Sequence, residues 1–181
     1  MSTFCRNIPN LLTLLRMAAV PVFIVQMLEG KIFAAIIVFL AAEITDVLDG
    51  IIARRYNYIT LFGKIADPLA DKLMQLSALF MLAEKDMILK IIPWLVLLKE
   101  LFLLISGLYL IRKKVDMSSK WFGKLTSVLL FIAIMMAFFG VPRAITDIML
   151  WICVGMALFA ALMYIRNYLR QVRPSYHEEP L

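Results

Sequence analysis

The chain carries six apolar runs, read at about 9–28, 32–53, 67–84, 88–111, 121–141 and 145–165, joined by short polar connections. A hydrocarbon layer of about 30 Å takes roughly 20 apolar residues of helix to cross, so each run has the length of a membrane span. With 63% hydrophobic and 18% charged residues and a mean hydropathy of +0.88, the chain lies far from a soluble domain, where roughly 45–50% apolar and 25% charged is usual. The expected fold class is therefore all-α: a polytopic integral membrane protein of six transmembrane helices, with a catalytic domain over 1–173 and a polar C-terminal tail over 174–181. The first run is expected to persist as a helix, because it holds Arg16 internally and no small-residue cleavage site follows it.

Gly 7, Pro 7 and Cys 2 are too few for collagenous, disordered or disulfide-framework classes, and Cys5 and Cys153 read as free thiols. The single histidine, His177, sits in the polar tail, so imidazole-based catalysis has almost no material here. Chemistry must run on carboxylates, lysines and arginines.

The net charge of +6 raises the question of nucleic acid, but the basic residues segregate by connection. One side collects Arg6; Arg54, Arg55, Lys64 and Lys72; Arg112, Lys113, Lys114, Lys120 and Lys124; and Arg166, Arg170 and Arg173. The other side has Lys31, Lys85, Lys90 and Arg143. The positive-inside rule then places both termini in the cytoplasm, as an even number of spans requires, and no nucleic-acid partner is expected. Orientation alone accounts for most of these charges. Trp94, Trp121 and Trp151 fall near span ends and read as interface anchors.

Two spans carry acids where a bilayer penalises them. Asp46, Asp49, Gly50 and Ala53 fall within a sector of roughly 100° on the second helix, and Arg54 follows directly. Gly63, Asp67 and Asp71 are spaced by four and form a second stripe, with Pro68 expected in the first turn of that helix. A carboxylate inside a span costs about 2.5–3.5 kcal/mol on insertion scales, so four clustered aspartates demand cations. All-oxygen ligation suits Mg²⁺ or Mn²⁺, two divalent ions would neutralise four carboxylates, and such a pair is the usual clamp for displacement at phosphorus. The small residues Gly50, Ala53, Ala66 and Ala70 offer either a close ligand approach or close helix packing. Arg54, one turn past Gly50, is placed for a phosphate oxygen.

The order D-x-x-D-G-x-x-A-R, eight residues, then G-x-x-x-D-x-x-x-D resembles the signature of the CDP-alcohol phosphatidyltransferase family, matching at Asp46, Asp49, Gly50, Ala53, Arg54, Gly63, Asp67 and Asp71. The resemblance implies transfer of a phosphatidyl group from CDP-diacylglycerol to an alcohol with release of CMP, by a Mg²⁺- or Mn²⁺-dependent homodimer of the plasma membrane with its site at the cytoplasmic face. It assigns Asp46, Asp49, Asp67 and Asp71 as metal ligands, Asp71 also as the base for the acceptor hydroxyl, and Gly50, Ala53, Arg54 and Gly63 as CDP-lipid-binding positions. Direct attack of the alcohol on the β-phosphorus is the expected course; a covalent phosphatidyl-enzyme step stays open as the alternative, although no Ser-His or Cys-His pair favours it.

The opening Asn7-Ile-Pro-Asn10-Leu-Leu-Thr13-Leu-Leu-Arg16 resembles members of this family that use glycerol 3-phosphate, and also those that use phosphatidylglycerol to make cardiolipin. Lys124 resembles an acceptor-phosphate lysine of the former, with Arg112, Arg166, Lys113 and Lys120 as further candidates. The chain departs from that pattern at Thr126, where a second lysine often stands, and at Lys99-Glu100, where an arginine often precedes the acid; Lys offers a point charge in place of a bidentate fork. Glycerol 3-phosphate is the expected acceptor. Asn10, Thr13 and Arg16 form a polar stripe at spacing three, read as inward-facing; a structural hydrogen-bond network is its competing reading. Glu43, a further intramembrane acid, is expected to pair with Arg16 or Lys99. A divalent-cation transporter or a non-catalytic scaffold would also explain intramembrane acids, but not Gly50, Ala53, Arg54 and Gly63 at their offsets.

Overall fold

The computed structural model describes the backbone of residues 3–56, 61–112 and 120–172, and side chains over 11–48, 66–67, 69–102, 125–160, 162–163 and 166. Six helices account for these segments: α1 (Thr3–Leu28), α2 (Ile32–Tyr56), α3 (Leu61–Glu84), α4 (Ile91–Arg112), α5 (Lys120–Phe138) and α6 (Arg143–Val172). No strand occurs among the described residues. The shortest helix has 19 residues and the longest 30, which at 1.5 Å per residue is about 28 to 45 Å. Two windows, Leu11–Leu28 and Arg143–Ala160, are long and apolar enough to cross a bilayer among the described residues.

The chain divides into two units, Met1–Met87 and Ile88–Leu181. In the first, α1 packs against both α2 and α3. Its buried residues Thr13, Arg16, Phe23 and Met27 share a sector of roughly 80°, and Phe23 meets Phe39 of α2 with ring centroids 6.1 Å apart. Leu14 and Leu15, beside the buried Arg16, are 52% and 56% exposed. Burying Thr and Arg while leaving Leu outside reverses the pattern of a helix in water, and fits a helix whose outer face meets lipid. In the second unit, α6 packs on α5 and α4 through Thr146, Leu150, Cys153, Val154 and Ala157 at heptad-like spacing.

Three helix ends close in the same way. Gly30 and Gly140, at φ 75° and 72°, occupy the left-handed position after α1 and α5. The N–H groups of Lys31 and Val141 donate to Gln26 and Met136 carbonyls at 2.9 and 3.0 Å, the long bond of a Schellman cap. After α3 the left-handed residue is Asp86, at φ 54°, and Met87 N–H donates to the Leu82 carbonyl at 2.9 Å.

The helices outrun the expected runs at several ends: α1 begins at Thr3 and not at 9, α6 continues to Val172 past 165, and α3 begins at Leu61 and not at 67. Pro68 therefore lies inside the helix, where its absent N–H leaves the Lys64 carbonyl without its usual donor. The preference of proline for a first turn gave way to a helix-compatible stretch, Leu61-Phe-Gly-Lys-Ile-Ala66; proline inside membrane helices is well tolerated. Residues 139–141, taken as span, form the turn around Gly140. The tail over 174–181 and His177 lie outside the described residues.

Candidate active site in the first unit

Two acids of the motif, Asp46 and Asp67, sit where α2 and α3 face α1. On α2 the buried stripe Ala35, Phe39 and Ala42 continues in register to Asp46, so the face that packs on α1 is the face that carries the acid. Arg16 donates from Nη1 to Asp46 Oδ1 across that interface. Thr13, one turn earlier on α1, donates from Oγ1 to Asp67 Oδ1 on α3. Thr13 and Arg16 are 0% and 2% exposed, whereas the Asp46 side chain remains 37% exposed. Donors are thus sealed inside the unit and at least one carboxylate stays open.

Asp71 is held from its own helix. Gln75, one turn on, donates from Nε2 to Asp71 Oδ1 at 3.0 Å, and Lys72 Nζ lies 3.7 Å from Oδ2. Gln75 is 4% exposed, and its Oε1 is buried with no hydrogen-bond partner. Glu43, one turn before Asp46 on α2, is close enough to feel Asp71 and Asp46 as like charges and Arg16 and Lys72 as opposite ones. The expected partners of Glu43 are engaged elsewhere: Arg16 bonds Asp46, and Lys99 pairs with its neighbour Glu100 at 2.5 Å. Charge compensation within the acidic centre explains both the position of Arg16 and its burial.

Asp46, Asp67 and Asp71 offer hard carboxylate oxygens, and Gln75 Oε1 adds a buried neutral acceptor with nothing yet to accept from. This donor set fits a hydrated Mg²⁺ or Mn²⁺ and would not favour zinc. Among the described residues no three acidic, His or Cys side chains already close on a single point. Asp49, Gly50, Ala53, Arg54 and Gly63 lie on the helical backbone of α2 and α3, with their side chains outside the described residues. Ala66 and Ala70 are 6% and 0% exposed, as helix packing requires of small residues.

Of the acceptor-phosphate candidates, Lys124 and Arg112 have side chains outside the described residues, and Arg166 is exposed on α6. Lys99 and Thr126, the two departures from the glycerophosphate pattern, line one apolar cavity of about 410 Å³ within the second unit, with Phe102, Leu130 and Cys153 among its walls. Asp147 of α6 accepts the Leu89 N–H at 2.9 Å and lies 3.4 Å from Arg143 Nε, tying the start of α4 to α6. Sequence reasoning did not single out Gln75 or Asp147. Gln75 had a signal, an amide one turn after an intramembrane acid.

The model of the CDP-alcohol phosphatidyltransferase family matches residues 6–159, a stretch holding nearly all of α1, the acids of α2 and α3, and most of the second unit. A Rickettsia typhi protein named CDP-diacylglycerol--glycerol-3-phosphate 3-phosphatidyltransferase is 33% identical over 173 residues, covering 89% of this chain and 96% of that protein. An Aquifex aeolicus protein of the same name is 34% identical over 124 residues, 67% of this chain and 70% of that one. A Mycobacterium tuberculosis protein named probable phosphatidylglycerophosphate synthase is 38% identical over 138 residues, 71% of this chain and 64% of that one. Aspartates at the family's spacing, two of them held by buried donors of α1, and a match running through most of the sequence lead to one assignment: this chain belongs to the CDP-alcohol phosphatidyltransferase family.

Proposed function

We propose that this chain transfers the phosphatidyl group of CDP-diacylglycerol to glycerol 3-phosphate, giving phosphatidylglycerophosphate and CMP. The observation that carries the reading is similarity over nearly the whole length of relatives named for that reaction, in a chain where α1 bonds two of the motif acids. The working form is a six-span catalytic domain over 1–173 in the plasma membrane, with the polar tail 174–181 and both termini cytoplasmic, acting as a homodimer among membrane lipids. The lengths of the helices support the six spans, and the distribution of Lys and Arg supports cytoplasmic termini.

Asp46, Asp49, Asp67 and Asp71 would hold Mg²⁺ or Mn²⁺, two ions matching four carboxylates. When bound, such ions neutralise pyrophosphate charge and stabilise the departing phosphate oxygen. Gly50, Ala53 and Gly63 leave room for the nucleotide beside α2 and α3, and Arg54 donates to a phosphate oxygen. Asp71 accepts the proton of the acceptor hydroxyl as its oxygen bonds to the β-phosphorus; the bond from that phosphorus to the CMP oxygen breaks, and CMP leaves with the electron pair. Gln75 and Lys72 hold Asp71 through its two oxygens and so fix the direction from which it takes the proton. Lys124, with Arg112 and Arg166, supplies positive charge for the acceptor phosphate.

The test is CMP release by purified protein in nanodiscs with CDP-diacylglycerol and Mg²⁺, offering glycerol 3-phosphate and phosphatidylglycerol in parallel. Stimulation by glycerol 3-phosphate is expected. Stimulation by phosphatidylglycerol alone would move the chain to cardiolipin synthesis, and cation flux into sealed vesicles without CMP release would replace the enzyme by a transporter.

A further inference from the structure

We propose that Thr13 and Arg16 of α1 are positioning residues of the acidic centre, turning the carboxylates of Asp67 and Asp46 so that their remaining oxygens are presented together. The inference rests on the reading of these acids as cation ligands.

Four observations converge on it. The two side chains lie one turn apart on a single buried stripe of α1, and both are sealed from solvent. Each reaches a different helix: Thr13 bonds Asp67 of α3, and Arg16 bonds Asp46 of α2. The bridges span 54 and 30 positions of sequence, so α1 is the common reference against which two acid-bearing helices are set. Each donor engages Oδ1 in its bridge, a geometry in which Oδ2 of the same carboxylate can be aimed at a ligand.

Packing alone does not call for these residues. An arginine within a span costs about 2.5–3.5 kcal/mol on insertion scales, and a leucine or alanine would fill an α1 interface without that penalty. A carboxylate that holds a cation, by contrast, is habitually fixed by a donor behind it, and loss of that donor typically costs about 10–100-fold in metal affinity or activity. The two donors also differ in kind. The Thr13 hydroxyl orients Asp67 and leaves its charge intact, whereas the Arg16 guanidinium orients Asp46 and offsets part of its charge, stabilising α1 against α2 before any cation arrives.

The experiment measures Mn²⁺ binding to the purified full chain in nanodiscs by electron paramagnetic resonance of the free ion, with no substrate present, in wild type, Thr13→Val, Thr13→Ser and Arg16→Lys. Valine keeps the shape of threonine and removes the donor; serine keeps the donor. Thr13→Val is expected to weaken Mn²⁺ binding about tenfold, with Thr13→Ser within about threefold of wild type, in the range typical of residues that orient ligands. Arg16→Lys, which keeps charge but loses the planar fork, is expected to weaken binding severalfold. At saturating Mn²⁺ the KM for CDP-diacylglycerol should stay unchanged in Thr13→Val, and the melting temperature of the cation-free protein should match that of Thr13→Ser. Wild-type Mn²⁺ affinity in Thr13→Val overturns the proposal, as does a Thr13→Ser variant as weak as Thr13→Val. So does a loss of affinity that tracks a loss of cation-free stability across the variants. A wild-type chain that binds no Mn²⁺ removes the cation reading itself and this inference with it, an outcome distinct from normal binding in both wild type and Thr13→Val.

Discussion

The two units spend their polar side chains differently. In residues 1–87 two buried donors reach across helices, Thr13 to Asp67 and Arg16 to Asp46, and the acids they hold belong to one motif. Among the described residues of 88–181 the ion pairs are local, Lys99 with its neighbour Glu100 and Arg143 with Asp147 one turn on; the long-range bond of Asp147 is to a backbone N–H, that of Leu89, and Lys99 lines an apolar cavity. A long-range pair of polar side chains inside a membrane helix bundle is costly to arrange and marks the place where geometry matters to chemistry; a local pair, or an acid that caps a backbone N–H, disposes of a charge that topology or loop anchoring put there.

That contrast can be broken most directly by removing charge from the first unit. Chelation of divalent cations is expected to abolish CMP release, with recovery on adding Mg²⁺ or Mn²⁺. Asp71→Asn should lower kcat by about 10²–10⁴-fold, the usual contribution of a general base, while CDP-lipid binding survives. Near-wild-type turnover in this variant would take Asp71 out of the mechanism. Next in size, Lys124→Ala should raise the KM for glycerol 3-phosphate about tenfold or more, as loss of a charge-assisted phosphate contact does, with little change in the KM for the CDP-lipid. An equal rise in both would mean that the second unit does not discriminate the acceptor through this lysine.

Stability effects sharpen the same comparison. Asp147→Ala removes the acceptor of the Leu89 N–H and the partner of Arg143, and should cost about 1–3 kcal/mol of stability while kcat at 25 °C is unchanged. Thermal unfolding and CMP release measured on one preparation would separate the two, and a fall in kcat without a fall in melting temperature would put chemistry in the second unit. The smallest effect is expected at Asp86, where a non-glycine residue holds φ 54°: Asp86→Gly should stabilise by up to about 1 kcal/mol by relieving the left-handed backbone cost. An unchanged or lower melting temperature would mean that the interactions of the Asp86 side chain outweigh its backbone cost.

The helices and the acid stripe were legible because both depend on period alone: apolar runs of span length, and carboxylates at offsets that share a helix face. Thr13 and Arg16 were legible as an inward polar stripe, but not their destinations, since nothing local says whether α1 meets Asp46, Glu43 or Lys99. The start of α3 was misplaced because Pro68 is a strong local signal for a first turn, and that signal gave way to the helix-compatible stretch 61–66 before it. Gln75 escaped notice because an amide in an apolar run reads as an isolated polar residue until the acid four positions earlier is seen to bond it.

The Gly30 cap gives the first hairpin an unusual sensitivity to chain length. Arg16 lies fourteen residues before Gly30 and Asp46 sixteen after it, so two helices rising about 1.5 Å per residue from one tight turn bring the pair to nearly equal depth. One residue added between Gly30 and Asp46 would advance the acid by about 1.5 Å and swing it by about 100°, off the face that meets α1. Exposed turns are ordinarily where tags and labels are inserted with least harm. Here a label belongs elsewhere, because the turn at 29–31 works as the zero mark of a ruler read some 20 Å away.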